Sequence, residues 1–88
     1  MCPSGYVAIS EDLNGSGKQW ARPHPDSSRT IDACANICND RQGCTGFEFA
    51  VGSSETGACG TYDGGDDNKR DDKNRLSSDS NWRSCTKS

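Results

Sequence analysis

The sequence predicts a small disulfide-stapled α+β domain, with one helix and several short β-prone runs. Three observations predict it. Leu, Ile, Val and Phe together number nine in 88 residues, about a tenth of the chain, where a share under roughly 20% ordinarily points to disorder. The formal net charge is only −3, so the self-repulsion of most disordered chains is missing. Six cysteines resolve the conflict: so short a chain buries too little apolar surface to offset its conformational entropy, and covalent staples must contribute. The expected organisation is a single domain over 1–88, with an ordered core at 2–62 and 81–85 and a long charged loop at 63–80.

The elements follow from local chemistry. Tyr6, Val7, Ala8 and Ile9 make a short β-prone run after Pro3-Ser4-Gly5. Residues 13–18, with Asn14-Gly15 and Ser16-Gly17, carry turn chemistry. Residues 19–22 are the next β-prone run, closed by Pro23-His24-Pro25, whose prolines exclude helix. The helix is expected over 31–42. Thr30 stands where an N-cap belongs and Asp32 lies in the first turn, where the dipole favours negative charge. Ile31, Cys34, Ile37, Cys38 and Arg41 share one helical face, and Gly43 suits the left-handed position that ends a helix.

Two β-prone segments follow at 45–51 and 58–62, joined by 52–57 at hairpin length. Strict alternation places Phe47, Phe49 and Val51 on one buried face and turns Glu48 to water. Residues 63–80 are Gly, Asp, Asn, Lys, Arg and Ser with one Leu, a long solvated loop. Order returns at 81–85.

Six cysteines in a small polar chain read as three disulfides made in an oxidising compartment; a structural zinc site wants paired ligands such as C-x2-C, and the sequence has none. Of fifteen pairings, three join Cys34 to Cys38. Four apart on a helix, their Cβ atoms stand about 5–6 Å apart, whereas a disulfide wants about 3.5–4.5 Å, so twelve pairings remain. If Gly43 ends the helix, Cys38 and Cys44 fall at positions that commonly touch. A Cys38–Cys44 bridge would make that contact covalent, Cys34 could then reach the strand carrying Cys59, and Cys2 and Cys85 would be left to pin the chain ends.

Cys34-Ala35-Asn36-Ile37-Cys38, then Gly43-Cys44-Thr45-Gly46-Phe47-Glu48-Phe49, then Cys59 beyond a short hairpin, resembles the PAN/apple domain. That family's core pattern is C-x3-C, a third cysteine, a GFEY-like strand and a fourth cysteine in the next strand. Members with an added bridge also join cysteines near the two ends, where Cys2 and Cys85 stand. The similarity spans Cys2 to Cys85 and is sharp from Thr30 to Tyr62; the long charged loop at 63–80 departs from it. The resemblance implies a small sheet packed on one helix and tied to it by Cys34–Cys59 and Cys38–Cys44. It also implies an extracellular module that binds protein or carbohydrate, since these domains share a scaffold and differ in ligand.

Enzyme chemistry is not expected, nor is a cofactor. His24 is the sole histidine, held between two prolines, and no G-x-S-x-G, H-E-x-x-H or P-loop occurs. Asp63, Asp66 and Asp67 are weak calcium candidates, since hard cations want converging oxygens, but the neighbouring cations neutralise most of their charge. Lys69, Arg70, Lys73 and Arg75 are candidates for sulfated glycans or acidic partners, although the run 63–75 nets −1. Trp20, Trp82 and Tyr62 are candidates for stacking a sugar ring, but a core this thin is expected to bury them where area matters most. Asn14 opens a glycosylation sequon, Asn14-Gly15-Ser16.

No apolar run reaches the roughly 18 residues of a membrane span, and an acidic chain without a basic face is not expected to bind nucleic acid. Met1-Cys2-Pro3-Ser4 carries no basic or apolar leader, so the sequence reads as a piece of something secreted, with its leader or neighbouring domains elsewhere. The expected function is an extracellular adhesion module recognising protein or carbohydrate. The alternatives are a free-standing disulfide-rich effector of toxin or protease-inhibitor type, and a calcium- or mineral-associated matrix protein.

Overall fold

A computed structural model describes residues 2–9, 13–14, 17–63, 69–70 and 81–88, the pairs 13–14 and 69–70 by backbone only. In chain order the elements are β1 (Tyr6–Ile9), β2 (Leu13–Asn14), β3 (Gln19–Trp20), α1 (Ile31–Asp40), β4 (Gly46–Ala50), β5 (Cys59–Tyr62), β6 (Lys69–Arg70) and β7 (Trp82–Lys87). Five strands form one antiparallel sheet in the order β1-β7-β4-β5-β3. A separate two-residue ladder pairs β2 with β6. Leu13–Asn14 is therefore strand where turn chemistry was expected, and Lys69–Arg70 interrupts the expected loop at 63–80, because the two segments satisfy each other's backbone groups.

Helix α1 starts as its sequence requires. The Thr30 Oγ1 accepts the Ala33 N–H at 3.1 Å, satisfying one of the four donors that a helix start leaves orphaned. Its end differs from expectation by two residues. Arg41 turns extended (φ −87°, ψ 118°) and its N–H donates to both Ile37 O and Cys38 O. The physical reason is its side chain: Nη1 donates to Thr61 O at 2.8 Å and to Thr61 Oγ1 at 3.0 Å, and Nη2 to Gly17 O at 2.6 Å. These charged bonds hold the chain against the sheet and outweigh another half turn of helix. Gly43 does adopt positive φ (+81°), but inside a turn closed by Cys44 N–H to Arg41 O, the turn class that needs positive φ at its third residue.

The core lies between α1 and one face of the sheet. Tyr6, Phe47, Phe49, Cys59 and Cys85 meet Cys34, Ala35 and Cys38 of the helix, with Cys44 beside them. Tyr6 and Phe47 touch edge to face at 5.0 Å, and the Tyr6 hydroxyl donates to Asn39 Oδ1 at 2.8 Å. Three disulfides stitch this layer: Cys34–Cys59 joins helix to β5, Cys38–Cys44 spans the helix end, and Cys2–Cys85 joins the N-terminal segment to β7. They are the three pairs that the helix-end argument reached, and the bridge at Cys38–Cys44 forms without the helix ending it was argued from.

Strand β4 is central, and that overturns two expectations. All five of its residues are buried, Glu48 included, because β7 and β5 flank it on both sides and its second face is covered as well as its first. Val51 lies beyond the strand and stands exposed, since the chain turns into the 51–58 connection there. That connection is clamped by Arg29, whose Nη1 donates to Gly57 O at 2.6 Å while Nη2 donates to Pro23 O at 3.0 Å. Gly57 takes φ +89° and packs so closely on the 26–27 backbone that a Cβ would overlap the Asp26 carbonyl.

Candidate functional site

Paired residues in an antiparallel sheet point to the same face, so the register itself builds the second face. Trp20 pairs with Gly60, Gly60 with Glu48, Glu48 with Ser84, and Ala50 with Trp82. Trp20 and Trp82 thus rise from β3 and β7, with the small residues of β5 and β4 between them. Gly60 is what lets the Trp20 indole lie down: a Cβ there would stand 3.1 Å from Trp20 Cζ3 and 3.0 Å from Lys18 Cε. Across that gap the two indoles meet edge to face, ring centroids 6.1 Å apart.

Beneath them sits a charge pair. The Glu48 side chain is 0% exposed, and its Oε1 lies 3.3 Å from Lys18 Nζ. The same ammonium stands 4.0 Å from the Trp20 ring centroid and 5.6 Å from that of Tyr62. A carboxylate out of water needs such a partner, and the indole face adds a cation–π contact to it. Ser84, directly opposite Glu48, has a buried hydroxyl with no hydrogen bond among the described residues.

The outer side of the patch is His24. Its ring lies 4.5 Å from the Trp20 ring, tilted by 39°, and the residue is exposed. The position is built rather than incidental. Ala21 N–H continues the ladder onto Cys59 O at 2.8 Å, and Arg29 holds the Pro23 carbonyl. Asp26 closes the loop by accepting from Ser28 Oγ at 2.7 Å and from Ser28 N–H at 3.0 Å. Those two bonds, side chain first, hold the Asp26 carboxyl below the usual carboxylate range, with a smaller help from Arg29 against some desolvation.

The sequence-level candidates separate accordingly. Trp20 and Trp82 come together, both half-buried, while Tyr62 is fully buried under Lys18. Asp63 is spent on Arg41, with 3.9 Å between Oδ2 and Nη2. Asp66, Asp67, Lys73 and Arg75 lie outside the described residues, and Lys69, Arg70 and Asn14 are placed by backbone alone, in the β2–β6 ladder. Among the described residues no group of three or more His, Cys, Asp or Glu is arranged to hold a metal ion, and no helix is long and apolar enough to cross a membrane.

Sequence reasoning missed Lys18, Glu48, His24 and Gly60 as parts of one site. A signal for Lys18 existed: two residues before Trp20, it must share that strand's face. Glu48 gave none, because an alternating strand looks the same whether its polar face meets water or a second layer.

No protein-family model, curated protein or solved structure matches this chain.

Proposed function

We propose that this chain is an extracellular binding module of the PAN/apple type that takes a saccharide ring on the Trp20–Trp82 patch. One observation carries the reading. Of six aromatic residues of the Phe, Tyr and Trp type, Tyr6, Phe47, Phe49 and Tyr62 are buried; the two left half-exposed are Trp20 and Trp82, and they touch each other. A chain this poor in apolar residues gains most by burying its largest ones. A paired exception is what a stacking surface requires: an apolar face at fixed geometry beside polar groups that orient the guest.

The family reading is supported by the arrangement that the resemblance implied, one helix tied to a hairpin by Cys34–Cys59, with Cys38–Cys44 at the helix end and Cys2–Cys85 joining the ends. Three bridges in so short a chain support an oxidising, extracellular setting. The reading is of a binding module, and the one histidine stacks on an indole.

A glycan array with the oxidised protein, read at low and physiological salt, tests the proposal. Salt-resistant binding to neutral sugars that W20A or W82A abolishes is the expected result. Binding confined to sulfated glycans and fading with salt would move the site to Lys69, Arg70, Lys73 and Arg75. A blank array would refute the saccharide reading in favour of a protein partner.

A further inference from the structure

The saccharide reading leaves unexplained why an exposed side chain already stacks on Trp20. The occupant is His24, stacked at 4.5 Å and the only histidine in the chain. We propose that His24 is a proton-operated cover on the aromatic patch: as the imidazolium it holds to the Trp20 face and opposes stacking of a guest ring, and as neutral imidazole it gives the face up. This rests on the proposed function for its biological meaning, but not for its physics.

The asymmetry comes from the indole quadrupole, which attracts a cation over the ring more strongly than a neutral ring in the same place. Other charged groups stand near His24. Arg22, Asp26 and Arg29 share its loop. Lys18, which precedes β3, and Glu48 of β4 reach the patch from below as an ion pair, the Lys18 ammonium 4.0 Å from the Trp20 ring centroid. Trp82 of β7 brings no charge. Between about pH 5 and 8 lysine and arginine stay protonated, and the Asp26 carboxyl, held low by Ser28, stays ionised. Histidine is the side chain that ordinarily changes charge in that window. Its loop is clamped to the sheet through Arg29 and the Ala21–Cys59 bond, so protonation acts on a ring already in place.

A cation–π gain typical of exposed sites shifts the open-to-covered ratio by about two- to fivefold. The test is tryptophan emission of the oxidised protein from pH 8 to pH 5, with acrylamide as a neutral probe of access. An imidazolium in contact with an indole quenches it, so wild-type emission is expected to fall in one step. That step should vanish in H24Q and in W20F and persist in W82F. In W82F, where Trp20 emits alone, acrylamide quenching should weaken by about two- to fivefold at pH 5; in W82F/H24Q it should not change. Equal quenching at both pH values, or a step that survives H24Q, overturns the proposal. Should W82F fail to fold by far-ultraviolet dichroism, the wild-type step and its H24Q control carry the test. A glycan array blank at pH 8 would refute the saccharide reading and leave this fluorescence result standing, so the two failures are distinguishable.

Discussion

Cutting the Cys2–Cys85 bridge should remove a large part of the stability of this protein. The bridge spans 83 positions, and the loop-entropy expression gives about 4.5 kcal/mol for a loop of that length. Cys34–Cys59, with a separation of 25, shortens the effective loop and trims the figure to about 4.2 kcal/mol. A domain of 88 residues has about 4–13 kcal/mol in all at typical stability per residue. The native state has no need of the bridge to set its geometry, because β1 already pairs with β7 through four residues; the stabilisation comes from constraining the unfolded chain. Cys2→Ala isolates this term, since it leaves the buried Cys85 sulfur in the core, and C2A/C85A should cost only about 0.8 kcal/mol more, one methylene's equivalent. Urea unfolding at about pH 5, where thiolate exchange is slow, should show C2A about 4 kcal/mol less stable, with a larger m-value because the released chain exposes more surface. A loss under about 1.5 kcal/mol with unchanged m-value would refute the reasoning and put the stability in the packed layer instead.

Three further outcomes follow from the geometry. Gly57→Ala meets both a positive φ of +89° and the Asp26 backbone, and should cost at least about 2 kcal/mol, lowering Tm by roughly 10 °C; a fall under about 3 °C would show that the 26–57 contact gives way easily. Lys18→Met removes the ammonium that lies 3.3 Å from the buried Glu48 carboxylate. Breaking a fully buried pair costs about 3–5 kcal/mol, and the Lys18 side chain is 24% exposed, so about 2–3 kcal/mol is expected. K18M/E48Q should regain at least about 1 kcal/mol in a double-mutant cycle. Asp26 binds a proton less readily in the fold than in the unfolded chain, mainly through the Ser28 hydroxyl and N–H. Its contribution is therefore present above the ordinary carboxylate range and lost as pH falls through the lowered folded value. Tm scanned from about pH 6 to about pH 2 should fall less steeply for S28A than for wild type, and parallel curves would contradict this.

Much of the fold was legible because its signals are short-range. Thr30 before an apolar-periodic run specifies a helix start by a hydrogen bond three residues long. The spacing of Cys34, Cys38 and Cys44 limits their bridges by helix geometry alone. The hairpin between β4 and β5 follows from two β-prone runs and a connection of the right length. What failed were the places where a distant group intervenes: Arg41 leaves the helix for Thr61 and Gly17, and residues 13–14 become strand only because residues 69–70 lie alongside. The candidate site was legible as residue types, Trp20 and Trp82, and not as a constellation.

By itself the sequence determined a one-helix, disulfide-stapled α+β chain, its helix start and its central hairpin. These rest on capping, on periods of 3.6 and 2, and on covalent geometry, all of which act within a few residues. Only the tertiary structure decided that β4 lies between β7 and β5, that Glu48 is therefore buried with Lys18, and that Trp20, Trp82 and His24 share one patch. Strand order is set by pairings between segments tens of residues apart, and an alternating pattern carries no information about which strand will be its neighbour or what will cover its second face.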